Sequence, residues 1–330
     1  MSSIGSTSLL ANFFVAGSPD DLFSARSVYS GLKSAAGPTD TVAVSDQARM
    51  LFGVHKALSL MQMFARAGSD QSDKIAELQE LTEDGFDSYV SVPVDNVIVF
   101  GSASSRNQKY ETLSNARTWT GAGADSVTVG ANSELFLGGG NDVADAGEGA
   151  VIDGEDGDDV LAAGSGSILV GGAGDDTLSA SSQSELYGGD GNDTIAAGSM
   201  SWIEAGAGDD VVTVDGEEAE VWGQDGNDTI TVGANSTVSG GLGDDAITLT
   251  GDGSTVLFGP GQGSDTVRGS VASTIRFGEG LSARSLAVKV EGDDLVLSFS
   301  GKTETITYKD YQGSSPTLVF ADGTTISMTF

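Results

Sequence analysis

Gly171-Gly172-Ala173-Gly174-Asp175-Asp176-Thr177-Leu178 is followed seventeen residues on by Gly188-Gly189-Asp190-Gly191-Asn192-Asp193-Thr194-Ile195, and Gly240-Gly241-Leu242-Gly243-Asp244-Asp245-Ala246-Ile247 carries the same pattern. Outward from this stretch one Asp keeps returning: Asp125, Asp142, Asp159, Asp176, Asp193, Asp210, Asp228, Asp245 and Asp265, at intervals of 17, 17, 17, 17, 17, 18, 17 and 20 residues. Two residues before each stands a Gly: Gly123, Gly140, Gly157, Gly174, Gly191, Gly208, Gly226, Gly243 and Gly263. Four before, Gly gives way only to Glu155 and Gln224. A period of this length signals a solenoid, in which one coil alone cannot bury its apolar face.

The rest of the period describes the coil. Two residues after each Asp comes Val127, Ala144, Leu161, Leu178, Ile195, Val212, Ile230, Ile247 or Val267, and small or aliphatic residues such as Ala163, Ala180 and Val214 lie two further on. Such alternation is that of a strand. A second apolar column runs seven before the Asp, through Leu135, Ile152, Leu169, Leu186, Ile203, Val221 and Val238, with Ala150, Ser167, Ser184, Ser201, Ala219 and Ser236 two positions earlier. Each coil is expected to be strand, turn, strand, turn around a thin core.

Glycine at the Asp-bearing turn admits positive φ and close backbone approach, and Asn or Asp is next best there. Stacking coils at the parallel-strand spacing puts successive carboxylates roughly 4.8 Å apart. At an effective dielectric of about 20 each neighbouring pair then repels by about 3 kcal/mol. Over eight pairs that rivals the whole stability of an ordinary domain. The chain offers no neutralising charge, because residues 118–267 hold 28 Asp plus Glu and no Lys, Arg or His. The expected counter-charge is a hard cation from solution, held by carboxylates and carbonyls, which suits calcium better than magnesium. Merely solvated D-G and N-D turns would leave the strict Asp register unexplained.

These octapeptides resemble the calcium-binding nonapeptide G-G-x-G-x-D-x-U-x of RTX proteins. The resemblance implies a parallel β-roll with each ion held between like turns of successive coils by Asp side chains and turn carbonyls. It assigns the metal to the nine periodic Asp and to Gly140, Gly157, Gly174, Gly191, Gly208, Gly226 and Gly243. The family usually carries the motif on both edges; here Ser181-Ser182-Gln183-Ser184 and Gly198-Ser199-Met200-Ser201 lack a periodic Asp. Calcium is therefore expected on one edge only.

The 330 residues allow about two domains and a terminal segment. With 48 acidic against 15 basic residues, nucleic acid is excluded as a partner. There is no cysteine, hence no disulfide framework or thiol chemistry. The apolar run Leu9 to Ala16 lacks a preceding positive charge and is too short for a membrane span. Between Asp21 and Leu81 the spacing turns helical. Ser45 is an N-cap candidate for a helix to about Ala67, with Ala48, Leu51, Phe52, His55, Leu58, Met61 and Ala65 on one face, and Ser72 could start another. Such faces need a partner surface: one another and the first coil, or a second chain. His55 reads as packed rather than catalytic.

The β part is expected to begin at Val97 to Phe100, after Pro93, with Ser102 to Arg117 an early irregular coil or a loop. Beyond Arg268 hairpin signals replace the period: Leu286 to Val290 with Leu295 to Phe299, then Thr303 to Tyr308, then Thr317 to Phe320 with Thr325 to Phe330. An antiparallel cap would cover the open end of the solenoid. The stretch from Thr274 through Gly292-Asp293-Asp294 to Phe320-Ala321-Asp322-Gly323 is similar to the module that follows RTX repeats, and in that family the C-terminal residues carry the type I secretion signal.

The expected fold is mainly β, a parallel β-roll or β-solenoid of 17–18-residue coils at 119–269. An α-helical region (1–95), a transition (96–118) and an antiparallel cap (270–330) flank it. The expected role is a secreted, calcium-binding structural protein of a Gram-negative cell surface or extracellular matrix. Its partners would be calcium, type I secretion machinery, and either itself or a cell-surface polysaccharide. A polysaccharide-modifying enzyme on a parallel β-helix, or an adhesion carrier, is the alternative. An enzyme of that kind usually needs a cationic residue beside its carboxylates, and the array has none. H-E-x-x-H and G-x-S-x-G are absent as well.

Overall fold

A computed structural model describes residues 88–92, 98–100, 107–269, 272–310 and 316–328. The chain divides into two units, Met1–Gln79 and Glu80–Phe330, and the described residues all belong to the second. The expected helices after Ser45 and Ser72, the run Leu9 to Ala16, and His55 lie outside them.

The second unit is a parallel β-solenoid built from two sheets of fourteen and thirteen strands. From Ser88–Val92 to Thr274–Phe277 successive strands in sequence alternate between the sheets, so each coil gives one strand to each. The register follows the apolar columns. In one sheet Leu161, Leu178, Ile195, Val212, Ile230 and Ile247 are aligned strand to strand. In the other, Ile152, Leu169, Leu186, Ile203, Val221 and Val238 are aligned. Both columns are buried throughout, with outward residues between them. Sliding one strand by one residue would turn its buried column to solvent, which fixes the register.

The β part begins earlier than the expected boundary at residue 96. Strand Ser88–Val92 pairs in parallel with Gln108–Thr112, and Ile98–Phe100 with Arg117–Trp119. Val90 is in register with Tyr110, which is in register with Val127. The first of these intervals is twenty residues and the second seventeen, so the opening coil falls outside the period that marks the others. Of the two readings left open for 102–117, a loop or an early coil, the strand Gln108–Thr112 makes a coil.

At the far end, Leu286–Glu291, Asp294–Phe299 and Thr305–Lys309 form an antiparallel meander, and Thr317–Val319 pairs antiparallel with Thr325–Ser327. The hairpins are those the turn signals specify. Two of their strands also continue the solenoid in parallel, Thr305–Lys309 beside Ser264–Arg268 and Thr317–Val319 beside Thr274–Phe277. Phe277 packs edge-on to Phe299 at 5.1 Å and stacks on Phe320 at 4.8 Å, so aromatic rings close the apolar end of the core. No helix among the described residues is long and apolar enough to cross a membrane.

Candidate metal centre

The nine periodic Asp stand in one column along one edge, and each is only 1–2% exposed. Each coil holds its neighbour through them. The backbone N–H of Asp142 donates to Oδ1 of Asp159 at 2.7 Å, that of Asp159 to Asp176 at 2.7 Å, and that of Asp176 to Asp193 at 2.8 Å. The ladder continues from Asp193 through Asp210, Asp228 and Asp245 to Asp265, and Asp125 opens it by donating to Asp142 and accepting from Gln108.

Oδ1 is thereby satisfied and Oδ2 is not. In Asp142, Asp159, Asp176, Asp193, Asp210, Asp228 and Asp245 the buried Oδ2 has no hydrogen-bond partner. A buried neutral acceptor left unmade costs roughly 1–3 kcal/mol, and a charged one more. Burial therefore pushes the carboxyls of the metal-free chain upward, helped by neighbouring carboxylates. Asp142 and Asp265 rise to about 8, Asp176 and Asp210 to about 7, and Asp159, Asp193 and Asp228 to about 6. Asp125 and Asp245 are raised too, again chiefly by burial.

The turn glycines explain how the coils come so close. Gly174 has φ +132° and Gly191 φ +134°, values that a side chain rarely adopts. A Cβ on Gly191 would overlap the carbonyl oxygen of Gly174, and one on Gly174 that of Gly157. Gly140, Gly157, Gly208, Gly226 and Gly243 repeat this arrangement. The glycines named from the sequence thus form a second column, carbonyl over Cα, beside the Asp column.

A third contact was not legible in advance. At Gly171 a Cβ would overlap both Oδ2 of Asp176 and lie 2.6 Å from the carbonyl oxygen of Gly188. At Gly188 it would overlap Oδ2 of Asp193 and the carbonyl oxygen of Ala205. An orphaned carboxylate oxygen and a carbonyl oxygen of the next coil therefore both crowd the bare face of the same glycine. No point among the described residues gathers three His, Cys, Asp or Glu side chains. A cation here would draw on carbonyls as much as on carboxylates, the mixed oxygen set that calcium accepts. The residues fit the ion the repeats imply.

The exposed slot before each Asp forms its own ladder, running the other way. Asn192 N–H donates to Oδ1 of Asp175 at 2.7 Å, and Asp209 N–H to Oδ1 of Asn192 at 2.7 Å. The opposite edge carries a neutral ladder. There Ala150 N–H donates to Ser167 Oγ at 3.1 Å, Ser167 N–H to Ser184 Oγ at 3.3 Å and Ser184 N–H to Ser201 Oγ at 3.3 Å. Each Ser is buried yet neutral, and a hydroxyl can both accept and donate.

A search of curated proteins finds no match to the sequence. Among solved structures the chain is similar to the extracellular lipase LipA from Serratia marcescens, at 19% identity and TM-score 0.29, over 63% of this chain and 38% of that one. Residues 171–199 match the family described as RTX calcium-binding nonapeptide repeat (4 copies). They are coils of the solenoid whose carboxylates, carbonyls and glycines are stacked as described. RTX nonapeptide repeats bind calcium, and residues 171–199 of this chain carry such repeats.

Proposed function

We propose that the protein is a secreted structural protein whose solenoid folds on calcium outside the cell. The observation that carries this reading is the column of seven buried, partnerless Oδ2 atoms in an array without a single basic side chain. Where calcium is scarce the carboxylates repel one another and the chain stays extended, fit to pass a narrow type I exporter. Bound calcium supplies the missing positive charge, so binding and folding are one equilibrium.

The role we propose is non-enzymatic, and the composition of the array supports it. Residues 118–267 carry 28 acidic and no basic side chains, and Oδ1 of each periodic Asp is held in the ladder. The destination is the surface or matrix of a Gram-negative cell, where a stiff rod of eight coil intervals, roughly 38 Å at the strand spacing, serves as a spacer. The helical pattern between Asp21 and Leu81 supplies an association element toward a second copy. Cell-surface polysaccharide is the other partner consistent with this role.

Light scattering of the full chain before and after calcium addition tests the assembly. Mass growing with calcium supports a layer or filament. A monodisperse monomer at high concentration with calcium would sink self-assembly and leave a calcium-folded spacer.

A further inference from the structure

On the outward face of the thirteen-stranded sheet, aromatic rings and carboxylates alternate from strand to strand. Glu185, Trp202 and Glu220 are aligned in one row, and Tyr187, Glu204 and Trp222 in the next. Each ring thus has a carboxylate beside it on the neighbouring strand. Trp202 and Trp222 face each other diagonally across the two rows, their ring centres 6.2 Å apart and their planes tilted by 37°. All three rings are half-buried, at positions that alternate with the buried core column.

The polar atoms of the rings are taken up within the face. Trp202 Nε1–H donates to Glu204 Oε1 at 3.1 Å, and the Tyr187 hydroxyl to Glu185 Oε2 at 3.3 Å. Gln224 Nε2 donates to Glu204 Oε2 at 3.2 Å, and Nε1 of Trp222 is sheltered from solvent. What remains for a ligand is ring surface and carboxylate acceptors, with no basic side chain anywhere in residues 118–267. A cation over an aromatic ring is attracted by the ring, and a carboxylate alongside adds a charge-assisted hydrogen bond. An anionic ligand would be repelled.

The shape of the face favours a linear polymer. Glu185–Asp190, Trp202–Ala207 and Glu220–Asp225 are each paired on both sides, so no strand edge is open for a peptide to extend. The rows run along the solenoid in steps of roughly 4.8 Å. The row of Tyr187, Glu204 and Trp222 continues back to the stacked rings of Phe136 and Trp119. A stiff chain laid along such a row loses less freedom on binding than a flexible peptide held only by its side chains.

We propose that this face, centred on Trp202 and Trp222, binds a polysaccharide of amino sugars whose amines are free and positively charged. The C–H faces of the sugar rings pack on the indoles, and ammonium and hydroxyl groups donate to Glu185, Glu204 and Glu220. The proposal rests on the polysaccharide reading above, names its chemical class, and uses no residue of the Asp column.

The test is calorimetric titration of the full chain, in excess calcium at mildly acidic pH, with a glucosamine oligomer, its N-acetylated counterpart and an oligolysine of equal length. The glucosamine oligomer should bind at least about fivefold more tightly than the N-acetylated one, and Trp202→Ala and Glu204→Gln should each weaken it about fivefold or more. Glu204→Gln keeps an acceptor for Trp202 Nε1–H, so it decides alone if Trp202→Ala fails to fold. Thr229→Ala, on the outward face of the other sheet, should leave binding unchanged. Equal affinity for the two sugars would overturn the amino-sugar class, and tighter binding of oligolysine, lost in the same variants, would overturn it in favour of a cationic peptide. Circular dichroism of the same samples reports folding separately. Binding indifferent to both variants, or no binding by a chain that calcium has folded, would overturn the site and leave the calcium reading in place.

Discussion

Asp193 and Asp210 are joined by one bond and separated by one omission: the backbone N–H of Asp193 donates to Oδ1 of Asp210 at 2.7 Å, while Oδ2 of Asp210 is buried with no partner. One carboxylate thus has a structural oxygen and a spare one. The first holds adjacent coils together; the second makes the metal-free fold costly. Chain geometry and metal dependence meet in the same side chain.

The two oxygens can be separated by substitution. Asp193→Asn keeps an acceptor for the N–H of Asp176 and removes the charge; Asp193→Ala removes both. Calcium affinity should fall about tenfold or more in each, since a lost charge-assisted contact is worth roughly 1.5–3 kcal/mol. Asp193→Ala should further destabilise the calcium-loaded fold by about 1–3 kcal/mol, through the orphaned N–H. Glu185→Ala, on an outward strand position, should change neither. Calcium titration and urea unfolding with calcium present distinguish the three.

Acid should partly replace calcium. A carboxyl raised on folding adds stability that is fully present below its ordinary value near 3.8 and is lost as pH climbs through the raised one. For Asp142, Asp176 and Asp210 this stability is lost progressively as pH rises from 3.8 to between about 7 and about 8. In EGTA, lowering the pH from 8 to about 5.5 should therefore raise far-UV β signal. With limiting calcium the same change should weaken ion binding, because protons compete for the same oxygens. A calcium-free β signal that grows with rising pH would contradict the assignment.

On the opposite edge one residue per coil is left-handed, and Met200 is there at φ 58°, half exposed. Glycine takes this conformation without the penalty of roughly 1–2 kcal/mol that a Cβ brings, less its own larger unfolded entropy. Met200→Gly should stabilise the calcium-loaded protein by about 0.5–1 kcal/mol, seen as a higher urea midpoint with an unchanged slope.

The aromatic closure predicts a loss of the opposite sign. Phe277 is buried against Phe258, Phe299 and Phe320. Phe277→Ala should cost about 3–5 kcal/mol of stability in calcium.

Much of this was legible because a solenoid repeats its solution at every coil. The Asp and Gly columns and the two apolar columns through Leu178 and Leu186 are spaced in sequence as they are stacked in space. The Ser column from Ser167 to Ser201 was visible as small residues, but that its hydroxyls close a ladder needed coordinates. Where the interval changes, sequence reading fails. Val90 lies twenty residues from its partner Tyr110, and Thr305–Lys309 reaches its parallel partner Ser264–Arg268 only after a hairpin.

The most direct measurement is far-UV circular dichroism of the full chain at pH 7.5, first in EGTA and then through a calcium titration. Little β signal in EGTA, a cooperative gain with calcium, and a midpoint shifted to higher calcium by Asp193→Asn are the predicted results. The same β signal in EGTA as in calcium, unaffected by Asp193→Asn, would mean that the orphaned oxygens impose no cost that calcium relieves, and would contradict calcium-driven folding.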